Sequence, residues 1–301
     1  MCYPFSVPAR RRVIFRLISL SGGMTKRDEQ TGYGMATGSE IKPYLLVFHG
    51  SSDPRYQAAV AELMFGIAAR LNAPLVKAAF LEGYPMNPGN GMETQITEFA
   101  AVAAQKGYTR INILPVFLHP GVHVMEDIPK QVAQAEAEIL LQAKAKGELP
   151  VKIHLEPYIG QHTGAIAPLL AQQIMAEPPA TAWILIAHGS RREGGNQSVE
   201  DVAQKLTQLI NPGNGMKMTP IEICTAYWSV APSLEERLAK LVAAGHRQVG
   251  ILPYFLFPGG ITEAIARRAE ELSHTHGVSI ITVNPPRLGM VIGNWSFVPG
   301  P

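Results

Sequence analysis

Residues 44–55 read YLLVFHGSSDPR, and 139 positions later residues 183–194 read WILIAHGSRREG. In both stretches a short, unbroken apolar run stops at His-Gly-Ser, as a strand buried on both faces stops at a polar loop. A second pair keeps the register: INILPVFLHPGV at 111–122 returns 138 positions later as VGILPYFLFPGG at 249–260. HLEPYIG (154–160) and VNPPRLG (283–289) form a weaker third match. A nearly constant offset across separate segments marks a tandem duplication, here of a unit of about 130 residues. The hexapeptide NPGNGM, at 87–92 and 211–216, is out of that register and reads as two turn tips.

Outward from these segments the pattern alternates. Apolar runs at 44–48, 75–81, 111–117 and 151–155 predict strands, with helical spacing over 54–71, 92–106 and 127–146. The second unit repeats the order, with strands near 183–187, 221–227, 249–255 and 279–283. This alternation predicts an α/β fold of two tandem doubly wound, mainly parallel-sheet domains facing a shared cleft. The expected boundaries are 43–175 and 182–290, with an unperiodic tail at 291–301. The second unit is expected to lack its last helix, leaving a sheet face open. Residues 1–42 carry Arg10, Arg11, Arg12 and Arg16 before any acid, then a Gly/Ser/Thr-rich stretch. They are expected to be a disordered extension, or the product of a start codon assigned too early, with Met24 or Met35 as alternatives.

Composition removes several function classes. With 301 residues, 47% hydrophobic and 17% charged, the chain is globular. A net charge of +2 gives no electrostatic footprint for nucleic acid or a membrane surface, and no apolar run is long enough to span a bilayer. Two cysteines, Cys2 and Cys224, build neither a disulfide framework nor a thiolate metal site, which suits a cytoplasmic protein. There is no GxGxxG or GxxxxGKS pattern for a nucleotide.

Ligands of open α/β sheets bind beyond the carboxyl ends of the strands. Three chemically capable groups of the first unit fall there: His49 after the first strand, Glu82 after the second and His123 after the third. Imidazole and carboxylate suit divalent first-row metals, and the same set serves proton transfer near neutral pH. Taken singly, a His after a strand is more often a hydrogen-bonded structural residue than a ligand, Glu82 equally suits a solvated loop acid, and from the residues alone His119 competes with His123. The HGSS and HGSR loops suit an anion, through Ser51, Ser52, Arg55, Ser190, Arg191 and Arg192, although Ser51 and Ser190 equally suit ordinary capping.

On LLVFHGSSDPR, AAFLE and PVFLHPGVHVMEDIP, the sequence resembles the sirohydrochlorin chelatases, the SirB/CbiX family of class II chelatases, over roughly 43–290. The resemblance implies that His49 and His123 bind the entering metal and that Glu82 assists. Its HVMEDIP context favours His123 over His119. It further implies insertion of Co2+ or Fe2+ into sirohydrochlorin, for sirohaem or cobalamin. The metal (Ni2+ being chemically acceptable too) is then a substrate, with no organic cofactor. The second unit keeps His188 but places Trp228 and Ser229 where Glu82 would be, and Ile261 where His123 would be. Catalysis is therefore expected in the first unit, with His188, Ser190 and Arg191 facing the tetrapyrrole across one cleft in a monomer. The rival readings are a metal-delivery protein without insertion activity and an anion-binding module with structural histidines.

Overall fold

The computed structural model describes residues 42–51, 53–71, 73, 75–82, 91–211 and 220–286. The first repeat runs β1 (Tyr44–Phe48), α1 (Pro54–Leu71), β2 (Val76–Phe80), α2 (Met92–Gln105), β3 (Arg110–Pro115), α3 (Ile128–Lys146), β4 (Lys152–Leu155) and α4 (Thr163–Met175). The second runs β5 (Ala182–Ala187), α5 (Gln197–Ile210), β6 (Glu222–Tyr227), α6 (Leu234–Ala243), β7 (Gln248–Pro253), α7 (Gly260–His276) and β8 (Ser279–Thr282). Each repeat forms one all-parallel four-stranded sheet, ordered β2-β1-β3-β4 and β6-β5-β7-β8. The predicted doubly wound architecture is the one observed.

Strand alternation assigns side chains to two cores. Tyr44, Leu46 and Phe48 of β1 face a central core, and so do Trp183, Leu185 and Ala187 of β5. Leu45 and Val47 face an outer core with residues of α2 and α3, while Ala182, Ile184 and Ile186 face a second outer core with α6 and α7. Both faces of β1 and β5 are dry, which is why these strands read as continuous apolar runs. Gly250, paired with Trp183, makes room for its indole: a Cβ there would lie 2.2 Å from the ring.

The central core joins the repeats. Val60, Leu63 and Ile67 of α1, Ile166, Leu170 and Ile174 of α4, and Val199, Val202 and Leu206 of α5 fill the space between the sheets. Helix α4 is absent from the sequence reading. Apolar on nearly every side and carrying Pro168 inside it, it lacks the one-sided pattern that reveals a surface helix. Its Gln173 side chain donates to the Asn284 carbonyl of the second repeat (2.7 Å). The expected open sheet face is corrected here: Trp183, Leu185, Leu252 and Tyr254, on the inner face of the second sheet, are at most 1% exposed because this shared core covers them.

The predicted extension except Lys42, the tail, and residues 87–90 and 212–216 of the two NPGNGM copies lie outside the described residues. Among the described residues no helix is long and apolar enough to cross a membrane. In the first sheet the winding reverses between β1 and β3, and the crevice beyond their carboxyl ends is where such sheets bind ligands.

Candidate metal centre

The site begins where β1 and β2 stop pairing. Leu81 N–H donates to the Phe48 carbonyl (3.0 Å) and Glu82 N–H to the His49 carbonyl (2.9 Å), so the ladder continues one step beyond both strands. Gly50 follows with φ +102°, a left-handed conformation that favours glycine. A Cβ at this position would lie 2.1 Å from the Glu82 carbonyl oxygen. Glycine thus sets how closely the Glu82 loop approaches His49.

His123 arrives from β3. After Pro115 the chain turns, and Val124 and Met125 N–H both donate to the Gly121 carbonyl (3.1 and 3.0 Å). His123–Asp127 form a single π-helical turn that leads into α3, a local widening often found at functional sites. The His49 and His123 rings stand 5.0 Å apart, nearly perpendicular at 81°. One ligand atom from each of His49, Glu82 and His123 lies within 4.8 Å of the others.

The hydrogen bonds select which ring nitrogens are free. His123 Nδ1 lies 2.8 Å from Asp127 Oδ2, and His49 Nδ1 lies 3.2 Å from the Gly50 carbonyl. Carbonyl and carboxylate oxygens accept, so both Nδ1 atoms carry protons in the neutral rings and both Nε2 lone pairs are left to bind a cation. With three donors, two of them exposed, the centre is open on one side, as a site that exchanges its metal requires.

His119, which competes with His123 in the sequence, turns the other way. Its ring packs edge-on against Tyr254 of the second repeat (5.8 Å), with Nδ1 buried and unpartnered. Burial, reinforced by His188, pulls its pKa down to about 4. The repeat relation makes Phe257 its counterpart, and Phe257 inserts in return against Tyr56 (4.9 Å) and Phe48 (6.3 Å) of the first repeat.

In the second repeat Ser229 occupies the backbone position of Glu82. Its N–H donates to the His188 carbonyl (2.9 Å), and its hydroxyl donates to the same oxygen (2.8 Å). The ladder bonds Val116 N–H to Val47 and Tyr254 N–H to Ile186 keep the 138-residue offset, placing Ile261 opposite His123 in sequence. Among the described residues no second cluster of three metal-ligating groups occurs. A cleft of about 450 Å³ lies between the repeats, with His49, Tyr56 and Phe117 on one side and His188, Phe257 and Ile261 on the other.

The anticipated anion-binding residues are largely engaged already. Ser51 Oγ accepts from Asp53 N–H (3.1 Å) and Ser190 Oγ accepts from Arg192 N–H (3.2 Å), the same turn in both repeats. Asp53, rather than a serine, caps α1 by accepting from Arg55 N–H (2.9 Å). Helix α5 starts only at Gln197, so Ser190 does not stand at its first turn. Arg55 is paired with Asp53 and with Glu263, and Arg192 with Glu126 (3.0 Å). Arg191 is exposed, while Ser52 lies outside the described residues. The residues that sequence reasoning missed are Asp127, Glu126 and Glu263. The acids of HVMED were quotable, but their partners are set by the fold.

The fold is thus two parallel α/β repeats, one of which brings two imidazoles and a carboxylate together at its switch point in an arrangement that could hold a divalent metal. The chain belongs to the CbiX family, whose model matches residues 43–176 and again 182–289. Among curated relatives, the sirohydrochlorin cobaltochelatase of Priestia megaterium is 25% identical over 241 residues, covering 79% of this chain and 72% of its own. The sirohydrochlorin ferrochelatase of the same organism is 25% identical over 237 residues, covering 76% and 78%. The fold is shared with the sirohydrochlorin chelatase SirB of Bacillus subtilis subspecies spizizenii in complex with cobalt, with TM-score 0.63, 20% identity and coverage of 84% and 91%. SirB from Bacillus subtilis with Fe3+ gives TM-score 0.65 at 20% identity, covering 84% and 93%.

Proposed function

We propose that this protein is a sirohydrochlorin chelatase, inserting Co2+ or Fe2+ into the metal-free macrocycle in sirohaem or cobalamin biosynthesis. The observation that carries the reading is the convergence of His49, Glu82 and His123 within 4.8 Å, with His49 also lining the cleft between the repeats. The names of the two Priestia megaterium relatives supply the macrocycle and the two metals. A set of two imidazoles and one carboxylate accepts Co2+, Fe2+ and Ni2+ alike. The catalytic unit is 43–175. The second unit, 182–290, supplies the opposite wall, so that one chain forms the complete cleft as a monomer. A reducing cytoplasm suits the two-cysteine chain and this chemistry.

The metal is a substrate. The two Nε2 atoms and the Glu82 carboxylate would present it from one face of the cleft, where the macrocycle nitrogens replace the protein donors one after another. Metallation also releases two pyrrole N–H protons. Each protein donor that lets go of the metal regains a lone pair and becomes a base, so Glu82 and the imidazoles can take those protons as the metal leaves. The apolar walls, Phe117, Phe257 and Ile261, limit water around the metal as it changes partners. Ser51 and His188 line the cleft; Ser52 shares the Ser51 loop, and Ser190 and Arg191 follow His188 on the other side.

The test is anaerobic incubation of the purified protein with sirohydrochlorin and Co2+, then Fe2+, followed by visible spectroscopy. Conversion that depends on the protein and is lost in His49→Ala and His123→Ala is expected. No conversion above the uncatalysed rate by a folded protein that still binds metal would assign the centre to metal delivery instead.

A further inference from the structure

Two ion pairs tie the repeats together across the cleft, and they are reciprocal. Arg55, six residues after His49, pairs with Glu263 at the first turn of α7 in the second repeat. Arg192, four residues after His188, pairs with Glu126 in the turn that carries His123 (3.0 Å). Each arginine follows the first strand of its repeat, Arg55 in the first turn of α1 and Arg192 in the loop before α5, and each glutamate lies near the start of the helix that follows the third strand of the other.

All four side chains are exposed: 55% and 48% for Arg55 and Glu263, 48% and 60% for Arg192 and Glu126. Exposed pairs of this kind add little to stability, because water screens them and two long side chains must be held still. As braces for a fold with a continuous core beneath them they are weak and redundant. As contacts to be exchanged they are well placed. Asp53 grips Arg55 through Nε (3.1 Å) and Nη2 (2.7 Å), leaving Nη1 for Glu263. If Glu263 withdrew, the guanidinium would keep its orientation and offer Nη1 to another carboxylate.

Resting on the proposed function, we infer that Glu126 and Glu263 are placeholders for the carboxylates of the macrocycle. On binding, two peripheral carboxylates of the substrate displace them from Arg192 and Arg55, which breaks both ties and lets the cleft open around the ring. The glutamates freed at the rim then repel the product's carboxylates, which favours release. Unpaired, the same glutamates would repel an approaching polyanion, so the arginines both mask them and receive the guest.

The experiment titrates the intact protein with metal-free sirohydrochlorin, read by ligand fluorescence anisotropy, in the absence of metal. Glu126→Gln and Glu263→Gln are compared with Arg192→Gln and Arg55→Gln. Exchange predicts opposite signs: neutralising a glutamate tightens binding about threefold or more, and removing an arginine weakens it about tenfold. A brace predicts the same sign, because either change breaks the same tie. Glu148→Gln controls for net charge, since Glu148 is exposed just beyond the far end of α3. That helix of 19 residues is about 28 Å long. Weakening by both members of a pair, or equal tightening by Glu148→Gln, would overturn the exchange while leaving the chelatase reading intact. Failure of the unaltered protein to bind sirohydrochlorin would overturn both. Thermal unfolding of each variant, expected within about 2 °C of the parent because the pairs are exposed, checks that the fold is retained.

Discussion

The Nδ1 of His123 lies 2.8 Å from Oδ2 of Asp127, four residues on in the same π-helical turn. Nothing else in the centre fixes that ring so directly: the carboxylate sets both its tautomer and its orientation. Carboxylates behind metal-binding histidines typically change metal affinity about 10- to 100-fold. Asp127→Asn should therefore weaken Co2+ binding by that range, measured by titrating the cobalt absorption bands, with little change in thermal stability. Unchanged cobalt affinity would reduce Asp127 to a helix-start residue.

Gly50 controls the other half of the centre. Gly50→Ala places a methyl group 2.1 Å from the Glu82 carbonyl oxygen at a φ that alanine avoids. The expected cost is about 2–4 kcal/mol in urea unfolding, with weaker metal binding because the Glu82 loop must move. Gly147→Ala is the control. Its φ is also positive, but its Cβ would meet nothing within 4 Å, so the cost should be about 1 kcal/mol and metal binding should be unaffected.

His188 sits on the wall where Ser229 and Ile261 stand at the positions of Glu82 and His123. His188→Ala should keep substantial insertion activity, whereas His123→Ala should abolish it, in the spectroscopic assay. Equal losses would mean that the second wall also holds metal.

His119 makes the fold sensitive to acid. Its folded-state pKa, about 4, lies below that of an exposed histidine because burial disfavours the charged ring. The fold therefore prefers the neutral form. That preference acts in full above about pH 6.5, declines as the pH falls, and is exhausted below about 4, a loss on the order of 3 kcal/mol. His119→Phe, which copies Phe257 of the other repeat, should flatten this part of the stability–pH curve in urea titrations between pH 4 and 7. A curve parallel to that of the parent would show that the ring does not govern acid stability.

Leu170 of α4 is fully buried in the core shared by both sheets. Leu170→Ala should cost about 2–5 kcal/mol. The loss should appear equally in far-UV circular dichroism and in tryptophan fluorescence, to which the buried Trp183 of the other repeat contributes. Two separated transitions would contradict a single cooperative core.

What could be read from the sequence follows from which interactions are local. Strands β1 and β5 declare themselves because both faces are buried and nearly every residue is apolar. Helix α4 hides for a related reason: until Gln172 and Gln173 it is built of small and apolar residues, so even its exposed side gives no polar period. His49 and Glu82 were visible at strand ends. His119 and His123 follow one strand four residues apart, and only the turn at Gly121 sends one to Tyr254 and the other to His49. Arg55 was read as open to an anion. Its partner Glu263 is 208 residues away, and Arg192 is 66 residues from Glu126, distances over which no pattern of spacing reports.

Two copies of one unit, joined in a single chain, need not stay alike. In a pair of separate identical subunits every substitution appears on both walls; here Glu82 has Ser229 at its equivalent position in the other repeat, and His123 has Ile261. The cleft therefore has a direction. A flat guest lying between the walls would have the cluster of His49, Glu82 and His123 on one side and the single imidazole of His188 on the other. On the proposed function, the fused chain would load cargo from one side only, leaving the opposite wall free to specialise in gripping the guest.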